Sequence, residues 1–536
     1  MTAKAFITGT GWPTKSTLWR AMVPMTLLPA LNLIMIYPND FWWHLRTGRM
    51  IVETGSIPTT DQFSFTRAGQ PWTNQAWLMQ AGYDLLHGAG GLPLIILVHA
   101  LTITAGYSLL LWILARHYGL RESVLATMIG ALVGMNNWTL RPQGISFLMF
   151  GVLLYLIENH QALTTGTRAR ERVEDSIGSL NHRTDRGWQM ADGGPQVEQI
   201  RRPPSAIWWV LPLFAVWVNS HGGFIFGLAV LGVYVLGRGW EFWRAGTPAE
   251  HRREMIHLAV IGLLALAVLA LNPAGPAGLV RYVLEFVRSD VTTRHNEEFA
   301  PLVIRDWDGL LFFASLLLVG VVLVKSGLRL RADQCLAVLI FAGLSLFARR
   351  NLAWYGFVVA PILAAGLHRW RPPSEAIHPG LRWMNAFILG LLAVGGLATM
   401  PWWRHRLPLP PQRQTLVTRT TPTAAAKFLC DTLPDGARIY QYFAFASFQI
   451  WACPRLAVFI DPRVELYPSE QWRDYFAIDA GRFNWEQVAD KYQLQYLFLS
   501  RQFQPLAIQA ARASENWMEI YHDDRAVVFQ KRASPP

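Results

Sequence analysis

Charge is what this sequence has least of. Only 16% of its 536 residues are Asp, Glu, Lys or Arg, while 52% are apolar. For a chain of this length that balance argues against one soluble core and makes the bilayer the natural solvent. Inside the apolar runs, ionisable groups are almost missing, His99 being the main exception. Proton relays and ion pathways need such groups at mid-membrane, so that class is disfavoured. No internal repeat is evident either, which argues against a transporter built from repeated halves. Cysteine is scarce, with three residues in all. Cys430 and Cys453 fall in the C-terminal region, where an oxidising compartment would allow a disulfide; two unrelated buried thiols remain the alternative. Cys335 lies in an apolar run and reads as packing.

What is present in quantity is hydrophobic chain. Apolar stretches occur near 19–37, 93–115, 122–137, 144–158, 207–219, 223–238, 256–272, 309–324, 334–348, 352–367 and 383–400. Read as crossings of about 30 Å of hydrocarbon they make about eleven spans, several of them short. The first follows Lys4, Lys15 and Arg20 and has no small-residue cleavage site after it, so it is expected to be a retained anchor with the N-terminus inside. The inside loops then carry the excess of Lys and Arg that the positive-inside rule requires. The 159–206 loop alone holds Arg168, Arg170, Arg172, Arg201 and Arg202; it lacks apolar periodicity and reads as a disordered cytoplasmic loop. Topology and anionic lipid thus account for the net charge of +12 without nucleic acid.

After residue 400 the pattern changes. Helical segments such as "TAAAKFLCDTL" and "SEQWRDYFAI" alternate with short apolar stretches "ARIYQY", "LAVFID", "QYLFLS" and "AVVFQK", the signature of an α/β unit. The expected fold is a polytopic α-helical membrane domain over 1–400, with its first outer loop at 38–92, followed by an extracytoplasmic α/β domain over 401–536. The periodicity of 41–53 and of 74–87 predicts two amphipathic helices along the interface.

On this topology the polar residues Asp40, His44, Asp61, Arg141, Asn219, His221, Asn272, Glu297, Glu298, Arg349, Arg350 and Asn351 all fall on the outer side, although they come from six different turns. Each has a plain reading. Arginines at helix ends snorkel to headgroups, Trp42 and Trp43 suit an aromatic belt, Asp40 could cap a helix, and Glu297 with Glu298 could be a solvated loop. Asp461, Arg463 and Glu465 alternate in "FIDPRVELYP" and read either as a salt-bridged turn or as an acceptor-recognition face. Convergence on one side favours a site. Arginines can grip a lipid phosphate, and a carboxylate at the same depth can take a proton from an incoming hydroxyl.

The stretches "DFWWHLRTGRMIVETGSIPTTDQFSFTRAGQPWTNQAWL", "LRPQGISFL", "WVNSHGGFIFGL", "LNPAG", "ARRNLAWYGFVVAPIL" and "VFIDPRVELYP" resemble, in this order, bacterial multi-pass proteins of the GT-C superfamily, the polyprenyl-phosphate-sugar-dependent glycosyltransferases. The resemblance implies an inverting transfer from a polyprenyl-phosphate-linked sugar donor to a glycan, lipid or protein acceptor at the outer face of the cytoplasmic membrane. It gives Asp40 the catalytic role, with Arg349 and Arg350 on the phosphate; their shared outer-side placement adds His44, Asp61, Arg141, Asn219 and His221 as the rest of the expected substrate site. Where the superfamily often pairs acids in this loop, the neighbour of Asp40 is Asn39. A divalent metal stays open, since Asp40 and His44 are only two ligands. The alternatives are a non-catalytic scaffold subunit of an envelope assembly and a transporter of a lipid-linked or small-molecule substrate.

Overall fold

The computed structural model describes residues 13–181, 206–246, 249–288, 297–370 and 381–532. Among the described residues up to Ala398 its α-helices are α1 (Lys15–Asn32), α2 (Phe41–Thr54), α3 (Trp77–Ala115), α4 (Leu120–Val133), α5 (Gly144–Asn181), α6 (Val210–Val218), α7 (Phe224–Ala245), α8 (Ala249–Ala267), α9 (Gly275–Arg288), α10 (Trp307–Ser326), α11 (Ala332–Phe347), α12 (Leu352–Trp370) and α13 (Arg382–Ala398). The fold is mostly helical and of membrane type. Among the described residues, five helices are long and apolar enough to cross a membrane: Trp77–Ala115, Phe224–Arg244, Arg252–Leu271, Trp307–Ser326 and Arg349–Trp370. The expectation of eleven spans therefore depends on shorter elements such as Ala206–Val218, Ala332–Phe347 and Arg382–Ala398. The outward faces of these helices carry bare aliphatic side chains, Leu317, Val324 and Leu339 among them, as lipid-facing surfaces do. α5 continues to Asn181, and the rest of the 159–206 loop, 182–205, lies outside the described residues.

Both helices expected in the 38–92 segment form, as α2 and as the first part of α3. Gly90 and Gly91 interrupt α3, Gly91 at φ 67°, with Pro93 close behind. Only glycine adopts that conformation without strain, so one continuous helical run becomes a short helix followed by a span. α2 packs on this short helix at very close range. A Cβ on Gly48 would stand 1.9 Å from the carbonyl oxygen of Gln80.

The C-terminal part holds a four-stranded sheet in the order β1-β2-β4-β3, from β1 (Ile439–Gln441), β2 (Tyr496–Ser500), β3 (Trp517–His522) and β4 (Ala526–Lys531). β1 pairs parallel with β2, and β4 runs antiparallel to both its neighbours. "LAVFID" is not a strand of this sheet. Val458 makes isolated bridges to Ile439 and to Ser64, so this segment bridges to the loop between α2 and α3 as well as to β1. Helices α14 (Thr423–Thr432), α15 (Phe443–Ala452), α16 (Ser469–Asp479), α17 (Trp485–Lys491) and α18 (Pro505–Ala513) complete the unit. Cys430 and Cys453 are paired as a disulfide with Cα atoms 5.4 Å apart, whereas Cys335 is exposed on α11.

The 38–76 segment and the C-terminal unit share one core. Trp43, Phe63 and Trp72 pack with Val458, Phe459, Trp472 and Leu497, and Trp42 meets Phe448 edge-on at 4.9 Å. Trp42 and Trp43 are thus buried in protein and do not form a lipid-facing belt. The fully buried Arg404 ties the end of α1 to the segment that leads into this unit. It donates to the carbonyls of Leu33, Ile34 and Arg413 at 2.6–2.9 Å, capping the end of α1 just before Asp40.

Candidate functional site

Asp40 sits at the start of α2 with helical backbone angles (φ −52°, ψ −36°), and its side chain makes no capping hydrogen bond. The capping explanation for this carboxylate therefore fails. Its Oδ2 lies 3.3 Å from Nε of Arg141, yet a quarter of the side chain remains accessible. Arg141 also pairs, through Nη1, with Glu298. One guanidinium thus stands between two carboxylates that are 250-odd residues apart in sequence.

Backbone and side-chain hydrogen bonds bring the three turns together. Gly144 N donates to Arg141 O, closing the turn before α5. Asn136 donates to the carbonyl of Arg349 at 3.1 Å, and Arg349 N donates to Ala300 O at 3.2 Å. The Arg141 turn, the Glu298 segment and the Arg349–Asn351 turn are thereby held side by side. Arg350 stacks over the ring of Phe299, 4.6 Å from its centroid, and is within electrostatic reach of Asp40, Glu298 and His221. Arg349 faces elsewhere, pairing with Asp306 at 2.9 Å.

His221 and His44 are both held neutral. Nδ1 of His221 accepts from Gly223 N at 2.9 Å and lies 3.0 Å from Ser146 Oγ. Since Trp217 Nε1 already donates to that hydroxyl, the serine proton points to the histidine and Nε2 carries the ring proton. Burial, with Arg350 and Arg141 nearby, lowers His221 to about 3. A Cβ on Gly223 would stand 2.6 Å from Ser146 Oγ, which is why this turn reads "HGGF". His44 is buried; its Nδ1 faces Gln80 Nε2 at 3.0 Å, and Gln80 Oε1 is taken by Asn74. Burial, followed by His221, Arg141 and Arg463, puts it well below the usual histidine range. Each ring can therefore offer an N–H to a ligand but cannot act as a base at neutral pH.

Of the carboxyls, Asp40 is raised, because burial outweighs the attraction of Arg141 and Arg350. Burial would also raise Glu298, but Arg141 and Arg350 hold it below its ordinary value. Glu465, on the turn Val464–Leu466, is pushed up to about 7 by burial, with Asp461 and Asp40 adding to the effect. The phenol of Tyr282 on α9 is raised by burial and by Glu465, and it also feels Arg350 and Asp40.

Besides Arg349, two of the residues expected at this site are elsewhere. Asp61 is fully buried with Arg463 and Asp461. Arg463 reaches Asp61 Oδ1 and Asp461 Oδ2 at 2.5 Å each, and Tyr467 donates to Asp461 at 2.7 Å. Asp61 also accepts from the backbone of Phe63 and Ser64. It anchors the loop; no surface is left for substrate. Asn219 accepts from Trp77 Nε1 at 2.7 Å and from Asn272 at 3.2 Å, and donates to Ala215 O, so it ties α6 to α3 and to the "LNPAG" turn. The structure does bring together Asp40, His44, Arg141, His221 and Arg350, and adds Glu298, Tyr282 and Glu465. Glu298 shared the outer-side placement that singled out Arg141; Tyr282 gave no sequence signal. Among the described residues no group of three or more His, Cys, Asp or Glu could hold a metal ion.

No family model matches the chain, and no curated protein does. Solved structures do. An oligosaccharyltransferase from Archaeoglobus fulgidus, tethered to an acceptor peptide, is similar over 96% of this chain and 74% of its own, with a TM-score of 0.57 at 10% identity. The mycobacterial arabinofuranosyltransferase AftD matches 98% of this chain with a TM-score of 0.54 at 15% identity; this chain spans 42% of its length. ArnT from Cupriavidus metallidurans in the apo state is similar over 97% of this chain and 99% of its own, with a TM-score of 0.52 at 12% identity. The chain shares the fold of these three membrane glycosyltransferase structures.

Proposed function

We propose that this chain transfers a sugar from a polyprenyl-phosphate donor to a glycan, lipid or protein acceptor at the outer face of the cytoplasmic membrane, with Asp40 as the general base of an inverting displacement. One observation carries the reading. In a GT-C fold, the carboxylate after the first helix is uncapped, partly open, and set beside Arg141 with Arg350 in reach.

In this mechanism an acceptor hydroxyl gives its proton to Asp40 as its oxygen attacks the anomeric carbon, and the bond from that carbon to the phosphate oxygen breaks. Charge builds on the departing phosphate, where Arg350 meets it. Arg141 holds Asp40 in place, and the N–H groups of His44 and His221 are donors for hydroxyls of sugar or acceptor. The phosphate role, expected of Arg349 and Arg350 together, narrows to Arg350, because Arg349 is committed to Asp306. The runner-up is a scaffold that keeps the fold without the chemistry; what favours it is that Arg141 is already paired with both carboxylates.

The test is a transfer assay with purified full chain and native lipid extract. Asp40→Asn should keep donor binding and lose roughly 10²-fold or more in turnover. Arg350→Ala should weaken donor binding about tenfold or more, while Arg349→Ala should leave it unchanged. Turnover should fall as pH drops through the raised pKa of Asp40, so its acid limb should lie above the ordinary aspartate range. Full activity of Asp40→Asn would hand the case to the scaffold.

A further inference from the structure

At the opposite end of the helical bundle from Asp40 lies a second site. Arg20 is near the start of α1 and Asp40 follows the end of that helix; α3 runs back in the other direction, so Arg116 at its far end comes beside Arg20. Between them is a groove of about 350 Å³, walled by Leu111 and Leu120 and lined by Ser108 and Trp112. This is enough space for a small polar group with part of an apolar tail.

Its chemistry is lopsided. Both arginines are exposed. Arg116 donates to Asn159 Oδ1 at 2.8 Å and stacks on Trp112 at 4.9 Å, and among the described residues neither arginine has a carboxylate partner. Of the acids on the adjoining turns, Glu158 is engaged by His117 at 2.8 Å, which leaves Glu122. Ser108 Oγ is buried without a hydrogen-bond partner, unusual for a hydroxyl on a helix, which normally bonds back to the preceding turn. Trp112 is itself about half exposed and tilted against Tyr155 at 5.3 Å. Aromatic pairs of this kind mark the level where bilayer meets water.

We propose that this groove binds the phosphodiester of an anionic phospholipid, with Arg20 and Arg116 gripping the phosphate, Ser108 hydrogen-bonding to the headgroup and one acyl chain lying along Leu111 and Leu120. Guanidinium pairs match phosphate oxygens in charge and geometry. The position at the interface makes the source of that phosphate a lipid, since a free anion would gain nothing from the aliphatic wall. The site stands apart from the Asp40 cluster and is independent of the transfer reaction.

Native mass spectrometry of the full chain in detergent, titrated with phosphatidylglycerol, tests this. One equivalent should bind at least tenfold more tightly than phosphatidylcholine, and excess inorganic phosphate should not displace it. Arg20→Gln, at an exposed residue whose loss does not threaten the fold, should weaken that equivalent several-fold. Arg20→Gln with Arg116→Gln should abolish the preference, whereas Arg252→Gln, which removes an exposed charge elsewhere, should not change it. Equal binding of the two lipids, an unaffected double variant, or an equal loss in Arg252→Gln would overturn the proposal; displacement by inorganic phosphate would make it a free-anion site and overturn the lipid assignment.

Discussion

A carboxylate at the start of a helix normally spends an oxygen on the first turn's backbone N–H groups. Asp40 cannot, because its own backbone is already helical, so its oxygens turn to Arg141 and to open space. Burial then sets its protonation and that of its neighbours. Glu465 shows this effect most plainly. The folded chain holds its proton up to about pH 7, against an ordinary value of 4.5, so folded protein binds more protons than unfolded protein between those limits. Stability should fall as pH rises through that window and level off above it. Glu465→Gln removes the titration, and its melting temperature should rise relative to wild type from pH 4.5 to pH 7. A parallel course for both proteins would show that Glu465 ionises as freely folded as unfolded. Asp40, His44, Arg141, His221 and Arg350 were legible in the sequence because turns between apolar runs collect polar residues that the runs exclude. Asp61 and Asn219 came through the same filter, although the structure uses them as fasteners. A linear pattern registers that a polar residue is present near the interface; it does not register which partner the residue finds across the fold.

At the scale of elements, the helices at 41–54 and from 77 on were readable from their period, and the strands β1, β2 and β4 from short apolar runs. β3 was not, because "WMEIYH" mixes apolar and charged residues in an edge strand with partly open positions. "LAVFID" failed for the opposite reason: a run apolar enough for a central strand is consumed by contacts with a loop 390-odd residues earlier. The α2–α3 contact is the most exacting. Gly48→Ala would force these helices apart, since the nearest obstacle is backbone, which cannot swing aside as a side chain can. Overpacking of this sort costs about 1–3 kcal/mol. His44, one turn before Gly48, would also lose its alignment with Gln80. The variant should therefore melt several degrees lower and transfer more slowly, while Gly55→Ala, with no atom within 4 Å of its added Cβ, should show only the strain of a positive φ. Comparable melting of Gly48→Ala and wild type would mean that the two helices are not closely packed in solution.

The whole molecule does not divide at residue 400. Composition changes there, which is all a sequence boundary can detect, but the core of the C-terminal unit is completed by Trp43, Phe63 and Trp72 from the first outer loop. The ion triad of Asp61, Arg463 and Asp461 closes the same junction with no exposure of any of the three side chains to solvent. Removing one member of a buried set costs about 3–5 kcal/mol, because a charge is left without its partner. It follows that the helix bearing Asp40 depends on residues more than 400 positions later. Deleting 415–536 should leave the spans inserted but strip the cover from Trp42, Trp43 and Trp72, so that α2 and the 55–76 loop lose their packing. Limited trypsin digestion reads this directly. The full chain should resist cleavage at Arg46, Arg49 and Arg67, whereas the truncated chain should be cut there first. Arg463→Met in the full chain should shift cleavage toward Arg67 with a smaller effect at Arg46, since it loosens the triad and leaves most of the shared aromatic core in place. Equal resistance of the truncated chain would show that the first outer loop folds without the C-terminal unit, and the helix carrying Asp40 would then be held from within the membrane domain alone.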